Sequence, residues 1–169
     1  MPCTPLAAAA DAILAQCAHA CEVVSDDAFT TESETVRGGT IGKHIRHALD
    51  HYRALLDTRE GPVDYDHRTR GVATESDRAA ARAEIARMRT RIATLDEGDL
   101  DRAVTIRVML SGDGDTADVP TTLGRELWFC AHHAIHHNAM IKAIAHEFGV
   151  EFDKGFGTAP STLNYLRTA

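Results

Sequence analysis

Aromatic residues, basic clusters and long apolar runs are all scarce in this sequence. Aromatics make up only 5% of the 169 residues while alanine is abundant, a composition that favours packed helices over a sheet. No cluster of lysine and arginine stands out against the net charge of -7, which argues against a nucleic-acid partner. The longest apolar stretches fall short of the length of a bilayer-spanning segment, so no membrane segment is expected.

The N-terminal segment lacks the features of a secretory signal. It has no positively charged region and carries Asp11 within its apolar part, so we expect a cytoplasmic protein. A length of 169 residues fits one ordinary domain over residues 1–169, and the 44% of apolar residues is enough for a core.

Cysteine is sparse too, and its spacing excludes the common cysteine-based sites. The four residues form no C-x-x-C pair, and Cys17 and Cys21 lie one helical turn apart, which is awkward for a disulfide. A cytoplasmic chain keeps its thiols reduced. We therefore expect small buried hydrophobic residues at Cys3, Cys17, Cys21 and Cys130.

Helical spacing of apolar residues and turn signals divide the chain into its elements. Thr40 is a candidate N-cap for the second helix, Thr121 or Thr122 for the fourth, and Gly149 is a C-terminal stop. The predicted helices are residues 5–24, 41–56 and 75–95, a fourth that reaches residue 148 from its cap at Thr121 or Thr122, and a short last helix after Pro160. The fold class is all-α: an antiparallel four-helix bundle with a long crossover before the last long helix and a short β-hairpin near 103–119.

Histidine is the residue that this sequence has in excess. Seven of the ten lie in two short stretches: His44, His47 and His51 on the second helix, and His132, His133, His136 and His137 on the fourth. On a helical wheel His137 lies about 40° from His133, and both fall near the centre of the apolar face. Two imidazoles one turn apart present nitrogens to one ion, as in H-E-x-x-H helices.

The residues alone leave the third ligand open. The three histidines of the second helix flank its apolar stripe, and the wheel mildly favours His44 or His51 over His47. The alternative to a metal site is a set of core histidines satisfied by hydrogen bonds. Asp50 and Glu126 lie near the histidines in sequence and are candidates to orient a ligand's second nitrogen, although a solvated salt bridge is the simpler interpretation.

Two segments, TIGKHIRHALDH and HHAIHHNAMI, resemble those of the DinB-like superfamily of small metal-binding helical bundles. In that family a Thr or Ser opens a helix, a histidine follows about two turns later, and an H-x-x-x-H pair lies near the end of the bundle. Because Thr40 matches the opening position, the resemblance implies His47 as the first ligand. It implies His133 and His137 as the others, around a divalent ion such as zinc or nickel.

The resemblance also implies an activity. Family members include metal-dependent thiol transferases that use low-molecular-weight thiols such as bacillithiol or mycothiol, and mycothiol-dependent isomerases. We therefore expect a thiol transferase, or otherwise a hydrolase, acting on a small electrophilic molecule as a homodimer, with a low-molecular-weight thiol as co-substrate. Candidates for a general base are His44, Asp50 and His51. The alternatives are a non-catalytic metal- or ligand-binding stress protein and a purely structural bundle.

Overall fold

The computed structural model describes residues 4–67, 69 and 71–169 and is mostly helical with a small sheet. Its strands are β1 (Val63–Asp64), β2 (Ala103–Met109) and β3 (Thr116–Thr122), and a 3-10 turn covers Ala73–Glu75. The α-helices of this part of the chain are α1 (Pro5–Val23), α2 (Asp26–Thr30), α3 (Ile41–Asp57), α4 (Arg78–Ile92), α5 (Glu97–Asp101), α6 (Leu123–Glu147) and α7 (Pro160–Thr168).

The four long helices each begin at a side chain that caps their first turn. The hydroxyl of Thr40 accepts a hydrogen bond from the amide of Lys43 at 3.0 Å, so the predicted cap of α3 is confirmed. Of the two candidates for α6, it is Thr122 that caps, accepting from the amide of Arg125 at 3.2 Å. Just beyond the end of α6, Gly149 has a φ of 73°, which confirms the predicted stop.

The core lies between the four long helices. Helix α1 contacts α4 and α6, and α3 contacts the same two helices, so each long helix has two long neighbours. Leu14, Leu49, Tyr52, Met88 and Leu127 are among the side chains buried there. The cysteines Cys17, Cys21 and Cys130 are free and buried as predicted, whereas Cys3 lies outside the described residues.

Helix α1 is long and apolar enough to cross a membrane by length and composition, and no other described helix is. From the sequence, no apolar stretch of bilayer-spanning length was predicted. In the structure one face of α1, with Leu14 and Cys17 at 0% exposure, packs against the other helices. The core helix of a globular protein passes the same test.

The predicted hairpin is present and is part of a three-stranded sheet. Strands β2 and β3 pair antiparallel from Ala103 opposite Thr122 to Met109 opposite Thr116. The two-residue strand β1 adds to β2 in parallel, with Val63 opposite Ile106. The sequence predicted a polar connection here, because Gly61 and Pro62 signal a turn. A strand of two residues is too short to show an alternating pattern.

Short helices were also missed. Helices α2 and α5 follow the capping side chains of Ser25 and Asp96, but five residues are too few to show a helical period. The third predicted helix, residues 75–95, extends beyond α4 at both ends. At its start, the 3-10 turn and the cap at Asp77 come before the first residue of α4.

The close contact of Gly42 in α3 with the 3-10 turn predicts the effect of one substitution. A Cβ added at Gly42 in α3 would lie 2.0 Å from the carbonyl oxygen of Glu75 and 2.7 Å from Cε1 of Phe29. Gly to Ala in a helix usually stabilises by about 0.5–1 kcal/mol, but overpacking a core costs about 1–3 kcal/mol. We expect Gly42→Ala to lower the free energy of unfolding by about 1–2 kcal/mol, measured by urea denaturation.

The control for this prediction is Gly112→Ala, since a Cβ at Gly112 has nothing within 4 Å. An unchanged or raised urea midpoint for Gly42→Ala would contradict the tight contact between α3 and the 3-10 turn.

Candidate metal centre

Three imidazoles converge across the interface between α3 and α6. His47 comes from α3, and His133 and His137 come from successive turns of α6. Nε2 of His133 lies 3.1 Å from Nε2 of His47 and 3.0 Å from Nε2 of His137. One nitrogen from each of the three rings lies within 4.8 Å of the other two. The structure thus brings together the three residues that the resemblance implied.

The local sequence explains why these rings meet. Residues four apart on a helix lie one above the other, so His133 and His137 project in nearly the same direction. The faces of α3 and α6 that meet are apolar, and Ile45, Leu49 and Ile141 are buried there. Packing of these faces brings the α3 ring opposite the α6 pair. His137 is only 7% exposed, while His47 and His133 are half-buried at the edge of the interface.

The spacing of the nitrogens fits a metal ion better than hydrogen bonds alone. One ring nitrogen carries either one proton or one in-plane lone pair, so Nε2 of His133 cannot make two full hydrogen bonds at 3.0 and 3.1 Å. Tetrahedral zinc with nitrogens at about 2.0–2.1 Å places its ligands ~3.3 Å apart. A small shift of the rings, which separates these nitrogens slightly, lets all three lone pairs point to one ion.

The electrostatic environment favours the neutral form that a metal requires. Burial, followed by the neighbouring imidazoles of His133, His47, His44 and His136, lowers the pKa of His137 from 6.5 to about 2. His137 is therefore neutral near pH 7, and a neutral imidazole has a lone pair to give to an ion.

His44 contacts the buried member of this group. Its Nδ1 lies 2.9 Å from Nδ1 of His137, and burial lowers the pKa of His44 as well. If Nε2 of His137 binds an ion, the proton of that ring is on Nδ1 and is donated to Nδ1 of His44. Nε2 of His44 is buried against the backbone at Gly39, where an added Cβ would lie 2.9 Å away.

His51 packs behind the α6 pair. Its Nδ1 lies 3.0 Å from the backbone oxygen of His47, and its ring lies 4.0 Å from the ring of His133. On its other side the ring stacks on Tyr65 at 5.2 Å and an interplanar angle of 17°. His51 thus supports the position of His133, and its predicted role as a general base stays a prediction.

Comparison with known proteins agrees with this geometry. The family model of the DinB superfamily matches residues 9–141, which include all three histidines. The chain belongs to the DinB superfamily. The resemblance predicted from two short segments is therefore confirmed over most of the chain.

One curated protein is similar to part of this chain. An FK506-binding protein 5 of Rhizopus delemar is 36% identical over 106 residues, which cover 62% of this chain. The match covers 28% of that relative, so the chain corresponds to little more than a quarter of its length. No solved structure matches the chain.

The carboxylate of Asp50 is held by two arginines of α3. The two carboxylate oxygens of Asp50 accept from Arg46 at 2.7 Å and from Arg53 at 3.1 Å. Asp50 is 7% exposed, so the predicted salt bridge is present but buried. Both oxygens are engaged, which disfavours Asp50 as an orienting group or a base.

Glu126 forms the predicted salt bridge, with Arg125 at 3.2 Å, but its carboxylate is buried rather than solvated. It is 1% exposed and accepts from the hydroxyls of Tyr65 at 3.1 Å and Thr121 at 3.0 Å. Through Tyr65 it holds the ring that stacks on His51. The residue Tyr65 was missed because it lies in an irregular segment far from both helices in sequence, and no local pattern marks it.

Cys130 belongs to the same buried group. Its sulfur lies 3.9 Å from the hydroxyl oxygen of Tyr65, and burial raises the pKa of its thiol. A protonated thiol in the core is not a metal ligand, which supports the packing role predicted for it.

The helical wheel favoured His44 or His51 over His47, whereas in the structure it is His47 whose ring nitrogen lies with those of His133 and His137. Helix α3 packs against both α4 and α6, so the centre of its apolar stripe points between them rather than at α6. His47 lies on the side that faces α6. On α6, His132 and His136 are exposed.

The contact between His44 and His137 predicts a loss of metal affinity on substitution. In His44→Ala the Nδ1 proton of His137 loses its acceptor, and loss of such outer partners lowers metal affinity by roughly 10–100-fold. His44→Gln keeps an acceptor and should recover part of the loss. Competition with a chromophoric chelator measures the affinity, and equal values for His44→Ala and the wild type would contradict the role of His44.

Proposed function

We propose that this DinB-superfamily chain binds one divalent metal ion through His47, His133 and His137 and uses it in a reaction of small molecules. The observation that carries the proposal is the meeting of three ring nitrogens within 4.8 Å across α3 and α6. Zinc and nickel both suit imidazole ligands, and zinc fits a set of three histidines.

A donor set of three protein ligands supports catalysis rather than a structural role. Structural zinc sites are closed by four protein ligands, whereas catalytic ones keep a position for water or substrate. An ion held in this way supplies a Lewis acid that lowers the pKa of a thiol or a water molecule towards 7. A cavity of about 260 Å³ borders His47 and His137 and offers a place for the substrate.

The reaction that we favour is transfer of a low-molecular-weight thiol to a small electrophile. In it the thiol loses its proton to solvent, a sulfur–carbon bond forms, and the leaving group departs with its electron pair. Hydrolysis by an activated water is the second reaction. For a general base, His44 and His51 lie nearest to the histidine group, and Asp50 is held by two arginines.

The family further supports proposals on assembly and location. We propose a single domain in which the four long helices form an antiparallel bundle of the DinB type, a homodimer and a cytoplasmic location. The pairing of α1 and α3 with the same two helices, α4 and α6, supports the bundle. The FK506-binding relative does not extend the proposal, because the matched region covers only 28% of it.

The metal proposal is tested by metal content. After expression with zinc or nickel and gel filtration, the wild type is expected to hold about one ion per chain. His133→Ala and His137→Ala remove one of three ligands and should lower affinity by more than the roughly 10–100-fold typical of an outer partner. Mass spectrometry of the metals gives the readout.

His132→Ala is the matched control, because His132 is an exposed histidine of the same helix. It should keep wild-type metal content. A wild type without bound metal after metal-supplemented growth, or equal loss in the control, would overturn the proposal.

Thiol transfer is tested on the metal-loaded protein with an aromatic electrophile and a panel of thiols. We expect conjugation that depends on both the ion and the thiol, followed by mass spectrometry of the product. His47→Ala should abolish it and His132→Ala should retain it. Turnover of ester or amide substrates without thiol would favour hydrolysis, and no turnover with intact metal binding would favour the non-catalytic alternative.

A further inference from the structure

The cavity beside the histidine group has an unusual charge. It is lined by the segment from Val36 to Gly39 together with Lys43, His44, Arg46, His47 and His137. Three of these residues are cationic, none of the described lining residues is acidic, and the chain as a whole carries -7. A cavity with one sign of charge attracts ligands of the opposite sign.

Two of the three cations are already neutralised by carboxylates. Arg46 lies 2.7 Å from Asp50 and 2.8 Å from Glu75, and its side chain is only 11% exposed. The ammonium group of Lys43 lies 3.2 Å from Glu32 and donates to the backbone oxygen of Gly38 at 2.9 Å. These ion pairs stabilise the residues around the cavity.

Arg37 is the third cation, and within the described chain its guanidinium has no ion pair or hydrogen bond. It is exposed and lies at the mouth of the cavity, next to Gly38 and Gly39. A guanidinium presents paired donors that match the two oxygens of a carboxylate. Arg37 is therefore the group that remains available to a ligand.

The segment that carries Arg37 is held in place relative to the histidines. Glu147, near the end of α6, accepts from the hydroxyl of Ser33 at 2.6 Å and from the amides of Glu34 at 3.0 Å and Thr35 at 3.2 Å. These bonds lower the pKa of Glu147 to about 2, so the anchor is ionised near pH 7. Since α6 also carries His133 and His137, one helix positions both the metal ligands and the Arg37 segment.

The proposed ion adds to this charge. Three neutral imidazoles leave its two positive charges uncompensated, and the described lining supplies no carboxylate. The volume of about 260 Å³ is just below the roughly 300–1,000 Å³ of ordinary small-molecule pockets. A small molecule, or the end of a larger one, fits there.

We infer that this cavity takes a small molecule carrying a carboxylate, which Arg37 binds while the reacting group of the molecule lies beside His47 and His137. This inference rests on the proposed metal function and names the class of its substrate. Arg37 acts as a specificity-determining residue, because a neutral analogue of the same shape gains nothing from it.

The test compares two thiols that differ only in this group, 3-mercaptopropionate and 3-mercaptopropanamide. The protein is loaded with cobalt(II), and each thiol is titrated while the thiolate–cobalt absorption is recorded. We expect the wild type to bind the carboxylate thiol about tenfold more tightly, equivalent to about 1.4 kcal/mol.

Variants of Arg37 assign the preference. Arg37→Ala should bring the ratio of the two affinities close to one, Arg37→Glu should reverse it, and Arg37→Lys should keep part of it. Arg59→Ala is the matched control, since Arg59 is an exposed arginine beyond the opposite end of α3, and it should keep the wild-type ratio.

The outcomes separate the inference from the function on which it rests. Equal affinities in the wild type, or a preference that survives Arg37→Ala, overturn the inference and leave the metal proposal standing. The second of these results assigns the preference to chelation by the ion. Cobalt that does not bind at all overturns the metal proposal, and a loaded protein that binds neither thiol overturns both the thiol reaction and this inference.

Discussion

The packing of α3 against α6 is the constraint on which the candidate site depends. It brings Nε2 of His133 within 3.1 Å of Nε2 of His47 and within 3.0 Å of Nε2 of His137. An ion that accepts a lone pair from each of the three rings would tie α3 to α6.

The surroundings of the three rings are arranged to hold them. His44 contacts the buried ring of His137, and His51 packs on His133 with Tyr65 behind it. Tyr65 in turn donates to the buried carboxylate of Glu126. Outer contacts of this kind orient metal ligands and fix their protonation, and they come here from α3, from α6 and from the segment after β1.

The cavity beside the three histidines also depends on the position of α6. It lies between the start of α3 and the segment that precedes it, and that segment is fixed to α6 through Glu147. The position of Arg37 relative to the histidines therefore does not depend on a flexible loop alone. The proposed metal binding and the proposed ligand selection therefore both depend on α3 and α6.

The sequence by itself determined the long helices, the cap of α3 and the α6 histidine pair. The apolar period, the capping hydroxyl of Thr40 and the one-turn spacing of His133 and His137 are local properties that follow directly from helix geometry. For α6 the sequence offered Thr121 or Thr122 as the cap, and the structure shows that it is Thr122. The hairpin near 103–119 was also predicted from β-branched residues and a turn. The α3 histidine was identified by resemblance to the DinB family, and the wheel favoured its neighbours.

Only the tertiary structure decided which groups meet. Helix α3 packs on two helices at once, so its apolar stripe does not show which of its histidines faces α6. The contacts of Glu126 with Tyr65 and of His44 with His137 join residues far apart in sequence, and no local period encodes such contacts. No local pattern marks Arg37 either. Only the fold places it at the mouth of a cavity beside the three histidines.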